Sequence, residues 1–185
     1  MEKTRLDTFR NPEFDPGRNS LIRGLWYVVN FLFFKTDLLP ISLVKKWILL
    51  AFGAKVGHGV VLKPGINIKY PWKLTIGHYC WLGEGVWIDN LDVVTIGNHV
   101  CISQGAFLLT GNHNYKKSSF DLVTRPIELE DGVWIGAKSI VCPGVTCCSH
   151  SVLSVGSVAT KNLEPYFVYS GNPAVALRKR SLNQL

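Results

Sequence analysis

The 185-residue chain has no run of about 20 apolar residues, no Cys-x-x-Cys pair and no stretch where glycine and proline gather into a linker. Each absence closes a class of reading. Without a long apolar run there is no segment of the length that spans a bilayer as a helix. The five cysteines, Cys80, Cys101, Cys142, Cys147 and Cys148, are odd in number, so neither a disulfide framework nor a zinc knuckle is indicated, and reduced thiols in a cytosol fit. The first eighteen residues, MEKTRLDTFRNPEFDPGR, are polar and charged, which is not the layout of a secretion signal. Acidic side chains are also in the minority: 13 Asp plus Glu face 20 Lys plus Arg, a net charge of +7 that favours anionic partners such as phosphorylated cofactors or an acidic membrane surface. Nucleic acid is the least supported of these, because zinc-finger spacing, an RNP aromatic motif and a long basic helix are all missing.

What is present is a period of six. Apolar residues make up 47% of the chain, enough for one globular body with extensions. Val56, Leu62 and Ile68 stand six apart, as do Ile76, Leu82 and Ile88, then Ile96, Ile102 and Leu108, and finally Ile135, Val141, Cys147, Leu153 and Ala159. Six fits neither the helical period of 3.6 nor the strand period of 2, but it fits a short strand plus a tight turn. Three such units make a triangular coil, and stacking the coils places the aliphatic residues in one column. The first three blocks start twenty residues apart, which puts about two extra residues per coil into the corners 69–75 and 89–95.

The strings GVWIDNLDVVTIGNHVCISQGAFLLTGNHNY, EDGVWIGAKSIVCPGVT, SVATKNLEPY and SGNPA resemble the hexapeptide-repeat sugar O-acetyltransferases, nearest to those of colanic-acid and other exopolysaccharide pathways. The resemblance runs from about residue 52 to 180. It implies an all-β fold, a left-handed parallel β-helix over residues 53–163 with an extruded loop at about 110–126. It also implies acetyl-CoA as donor, a sugar or glycan acceptor, a homotrimer with sites between subunits, and no catalytic metal.

The column breaks at Gly111-Asn112-His113, and 27 residues separate Leu108 from Ile135. A polar insertion on a rigid scaffold is where sites are commonly built. Alone, His113 reads as a turn residue; with the resemblance it is the general base, a role imidazole suits because it exchanges a proton near neutral pH. No cysteine adjoins a histidine, so a thiol nucleophile has no positive support. Asp89 and Asn90, one coil earlier, match the acceptor-binding corner of the family, with Asp92 beside them; an Asp-Asn pair is also a common turn former. Tyr115, Trp87 and Trp134 form either a wall for sugar or pantetheine or ordinary strand surface. The resemblance places the donor against Trp134, Ala137, Gly156, Thr160, Lys161 and Arg178, in front of a basic tail, 164–185, that otherwise reads as a solvated face. His58, His78, His99 and His150 fall at turns and read as surface residues.

Residues 1–52 are set apart by the apolar stretches LIRGLWYVVNFLFF and LLPISLVKKWILLAF. These read as a helical cap over the open end of the solenoid, or as a peripheral membrane segment within 21–52 on an otherwise cytoplasmic protein. Two other classes share the fold. A γ-carbonic-anhydrase-like site needs a third histidine about five residues after the second, where Ser118 stands instead. A non-catalytic scaffold leaves the His113 insertion and the cations Lys161 and Arg178 without a purpose.

Overall fold

The six-residue period becomes three flat faces. In the computed structural model, which describes residues 3–11 and 14–182, strands of mostly two or three residues stack in parallel into a left-handed β-helix. The first face stacks Lys55–Val56, Leu74–Ile76, Val94–Ile96, Ile127–Leu129 and Thr146–Cys147. The second stacks Val61–Leu62, Trp81–Leu82, Cys101–Ile102, Trp134–Ile135 and Val152–Leu153, and the third Asn67–Ile68, Trp87–Asp89, Phe107–Leu109, Ile140–Val141 and Val158–Ala159.

Register follows the spacing. Val56 pairs with Ile76 and Ile76 with Ile96, twenty residues apart, whereas Leu129 pairs with Cys147 and Ile135 with Leu153, eighteen apart. The extra residues of the early coils are not slack, because Leu74 and Val94 are buried beside Ile76 and Ile96. Of the fourteen column positions, thirteen are buried; Val56, in the first coil, is partly covered. Leu129 is a fifteenth, buried six residues before Ile135, and the insertion hid its phase. Burying each Val, Ile or Leu of the column contributes roughly 1.5–3 kcal/mol. The small residue that follows many of these aliphatics is dictated by the next coil. A Cβ on Gly77 would lie 2.5 Å from the Gly97 carbonyl oxygen, and one on Gly136 would lie 2.6 Å from the Val155 nitrogen.

A stack of coils leaves an unpaired edge at each end. At the first coil, two helices meet it: α1 (Ser20–Phe33), capped by Asn19, and α2 (Ser42–Ala51). Trp26 Nε1–H donates to the Ile68 carbonyl at 2.9 Å, and the Asn30 amide oxygen accepts from Ile68 N–H. Ser42 Oγ bonds both backbone groups of Leu62, Lys46 donates to the Gly57 carbonyl, and the fully buried Lys45 donates to the Lys63 carbonyl at 3.0 Å. Burial pushes the Lys45 ammonium pKa down, against the opposing pull of the Asp37 charge. The outer sides of both helices leave Leu21, Leu25, Tyr27, Phe31, Leu43 and Trp47 exposed. Among the described residues no helix is long and apolar enough to cross a membrane.

Two segments differ from the expectation. Among its described residues, the chain ahead of α1 is an extended arm with one 3-10 turn, Leu6–Thr8, and no α-helix. It runs along the corner between the third and first faces, where Arg5 N–H donates to the Ser118 carbonyl, Trp72 Nε1–H to the Pro16 carbonyl, and Lys73 Nζ to the Asp15 carbonyl. The basic tail is sheet: Phe167–Gly171 and Ala174–Lys179 pair antiparallel, and the former adds to the second face beside Val152–Leu153.

Candidate active site

The insertion that interrupts the column folds as a β-hairpin. Gly111–His113 pairs antiparallel with Leu122–Thr124, His113 opposite Leu122, and the hairpin leaves the prism at the corner between the third and first faces. Its root is fixed by the buried Thr110, whose hydroxyl donates to the Asp89 carbonyl at 2.9 Å and accepts from Asp92 N–H at 3.0 Å.

His113 is half-buried, its ring stacked on Phe120 at a centroid distance of 4.4 Å and an interplanar angle of 8°. Phe9 of the N-terminal arm lies against it, centroids 6.2 Å apart. Nδ1 sits 2.8 Å from the Phe120 carbonyl oxygen. A carbonyl only accepts, so Nδ1 carries the proton and the Nε2 lone pair is left for other chemistry.

One coil below, Asp89 is mostly buried, with Oδ1 3.4 Å from Lys69 Nζ. It lines a cavity of about 310 Å³ between α1 and the third face. Asn90 departs from the expected acceptor role. It is fully buried, its amide nitrogen donating to the Tyr70 carbonyl at 2.6 Å and its oxygen accepting from Tyr70 N–H at 2.9 Å, so its side chain locks the corner and presents nothing to a ligand. Asp92 turns Oδ1 back to Val93 N–H. Tyr115 is 76% exposed on the far part of the hairpin, beyond His113.

The expected donor residues are divided between two edges. Trp134, Ala137 and Arg178 line a groove of about 610 Å³ on the second face and its corner with the third. Trp134 Nε1–H donates to Ser103 Oγ at 3.0 Å, and the Ala137 carbonyl accepts from Gly156 N–H at 2.9 Å. Gly156 lies at φ +65° with open space where a Cβ would stand. Thr160 and Lys161 are exposed at the other edge, the corner that carries Asp89 and the hairpin, and they do not line the groove. Arg180, next to Arg178 in the basic tail, also lines it, as do Ser103 and Gln104, which escaped the sequence reading. Their coil is in register with Trp134 through the pairing of Cys101 with Trp134, a spacing of 33 that the hairpin disguises. Arg180 is held by donating to the Gly132 and His150 carbonyls.

The four other histidines sit at the corner between the first and second faces, in stacked pairs: His58 with His78, Tyr79 with His99, and His150 with Tyr166. Among the described residues no three His, Cys, Asp or Glu side chains are grouped to hold a metal.

No protein-family model matches the chain. The solved hexapeptide-repeat acetyltransferase of Vibrio cholerae, complexed with acetyl coenzyme A, superposes with a TM-score of 0.81 at 21% identity, covering 95% of this chain and 97% of that one. The acetyltransferase assigned to colanic acid biosynthesis in Escherichia coli K12 is 36% identical over 175 residues, which is 95% of this chain and 96% of that protein. The chain belongs to the hexapeptide-repeat acetyltransferases. The galactoside O-acetyltransferase of the same organism is 30% identical over 129 residues, 68% of this chain and 64% of that one. For a hexapeptide-repeat acetyltransferase, the hairpin corner offers the one histidine that leaves the stacked turns, and the groove offers one indole face, Trp134, with the exposed Arg178 and the carbonyl-held Arg180. The two lie on different edges of the same prism.

Proposed function

We propose that this acetyltransferase moves the acetyl group of acetyl-CoA directly to a sugar hydroxyl during exopolysaccharide or other cell-surface glycan synthesis, with His113 as general base. The contact between His113 Nδ1 and the Phe120 carbonyl carries the reading, because it orients the ring and leaves Nε2 as the acceptor. Nε2 takes the hydroxyl proton while the sugar oxygen attacks the thioester carbonyl carbon. The tetrahedral oxyanion collapses, the C–S bond breaks, and the departing CoA sulfur takes the proton from the imidazolium. No covalent acyl-enzyme is needed.

The 610 Å³ groove suits the donor: Arg178 and Arg180 face its phosphates, and Ala137 and Gly156 let the pantetheine arm approach the backbone. Because the groove and His113 occupy different edges, the active unit is a homotrimer, His113 of one subunit facing the groove of the next. Relatives bound to acetyl-CoA and CoA support the donor assignment. The exposed apolar residues of α1 and α2, with Arg23, Lys35 and Lys46 nearby, support a peripheral contact with the inner face of the membrane. Leu43→Glu with Trp47→Glu then lowers sedimentation with anionic liposomes; unchanged sedimentation removes that contact.

The deciding experiment is mass-spectrometric detection of acetylated sugar and free CoA. Wild type transfers, and His113→Ala transfers roughly a hundredfold more slowly or less. Equal rates remove His113 from the chemistry, and no transfer together with no acetyl-CoA binding leaves a non-catalytic scaffold.

A further inference from the structure

The cavity between α1 and the third face contains more charge than its own ion pair uses. Lys69 answers Asp89 at 3.4 Å. Arg23 and Lys35, which line the same cavity from α1 and the residues just after it, have no ion-pair partner among the described residues. Arg23 Nε is buried without a hydrogen-bond acceptor. An unmet buried guanidinium N–H costs free energy that an anion restores, and the guanidinium fork with a nearby ammonium suits phosphate oxygens. Much of the remaining wall is aromatic, from Tyr27, Phe31, Tyr70 and Trp87, with the amides of Asn30 and Asn67 beside it, a lining that suits a sugar ring.

The cavity also lies on the edge that carries His113. Asp89 pairs with Leu109 in the parallel register, and His113 follows four residues later, so the two Cα atoms are within about 18 Å given strand rise and spacing. An acceptor anchored in the cavity by its charged end can direct a sugar hydroxyl toward the hairpin.

We propose that this cavity is the specificity site for a phosphorylated sugar acceptor, with Arg23 and Lys35 gripping the phosphate or diphosphate and the aromatic wall holding the sugar. This rests on the reading of the protein as a sugar O-acetyltransferase. The phosphate has three chemical sources: a hexose 1-phosphate, a nucleoside-diphosphate hexose, or a hexose on a polyprenyl diphosphate.

The test is the ratio of kcat/KM for each of these acceptors to that for the free hexose, in wild type, Lys35→Ala and Arg23→Gln/Lys35→Ala. The ratio for at least one phosphorylated acceptor exceeds tenfold in wild type and falls tenfold or more in the double variant; the acceptor with the largest ratio identifies the source. A lesion that merely loosens the fold lowers both rates together and preserves the ratio. Lys35 is exposed, so its single variant guards against misfolding in the double. A wild-type ratio near one, or a ratio unchanged in the variants, overturns the proposal while acetyl transfer itself stands. If no acceptor is acetylated, the transferase reading fails instead, and calorimetric titration with inorganic pyrophosphate and hexose 1-phosphate decides the cavity. Binding by wild type that weakens tenfold in the double variant retains the anion site, and equal or absent binding removes it.

Discussion

Leu108 and His113 stand five residues apart and obey different rules. Leu108 is one of a series in which Val, Ile, Leu, Cys and Ala all fill the same kind of place, buried between the coil before and the coil after. His113 has one carbonyl at its Nδ1, one phenyl ring beneath it and no equivalent in any other coil. The column is held by volume and repetition, the corner by single bonds. Damage to the column therefore appears as lost stability, and damage to the corner as lost rate per folded molecule.

The largest expected effect is in the column. Ile102→Ala, with its side chain fully buried, lowers stability by about 2–5 kcal/mol. Chemical denaturation checks this, and the rate per folded enzyme stays near wild type if the two regions are separable. Asn90→Ala tests the boundary between them. It strips Tyr70 N–H and C=O of their partners in a buried setting and costs about 1–3 kcal/mol, with a smaller loss of rate because Asp89 adjoins it. A variant with full stability and no activity would return Asn90 to ligand binding.

These differences explain what the sequence disclosed. The column was legible because stacking repeats one physical requirement at fixed spacing, and even the glycines after the aliphatics follow from the next coil's backbone. The interruption at His113 was legible as the place where that requirement lapses. The hairpin pairing was not, because its strands, Gly111–His113 and Leu122–Thr124, are three residues each and too short to show a period of two, and the arm docks through backbone groups such as Pro16 and Asp15 carbonyls that any residue could present. Asn90 reads as a polar surface residue until Tyr70 is known to be its partner. Thr160 and Lys161 match the family's string, yet the fold sets them on a different edge from Trp134 and Arg178.

A smaller effect belongs to the corner. Phe120→Ala removes the ring beneath His113 but leaves the Phe120 carbonyl in the chain, so only ring orientation loosens. Aromatic stacking of about 0.5–1.5 kcal/mol limits the loss in kcat to roughly tenfold or less. Phe120 is a positioning residue, so Phe120→Tyr restores kcat and KM for acetyl-CoA is unmoved in both variants. A fall in melting temperature that accounts for the lost activity would make Phe120 part of the column instead.

The smallest expected effect concerns the capped end, where Lys45 stands between the two kinds of region: buried like the column, yet bound through one carbonyl like the corner. Desolvation depresses its pKa in the folded state below the ordinary 10.5. Between the depressed value and about 10.5 the unfolded chain binds more protons than the folded one, so this group's contribution to stability rises with pH across that window. In the same window Lys73, also depressed by burial, acts in the same direction, so the comparison must be with Lys45→Met rather than with pH alone. Denaturation midpoints of wild type and Lys45→Met, measured from pH 7 to 10, converge or cross as pH rises if the buried ammonium is the costly species. A constant gap between them shows instead that the charge is met by the Lys63 carbonyl and the Phe34 ring face, 6.0 Å away, and that the cap is held as firmly as the coils it covers.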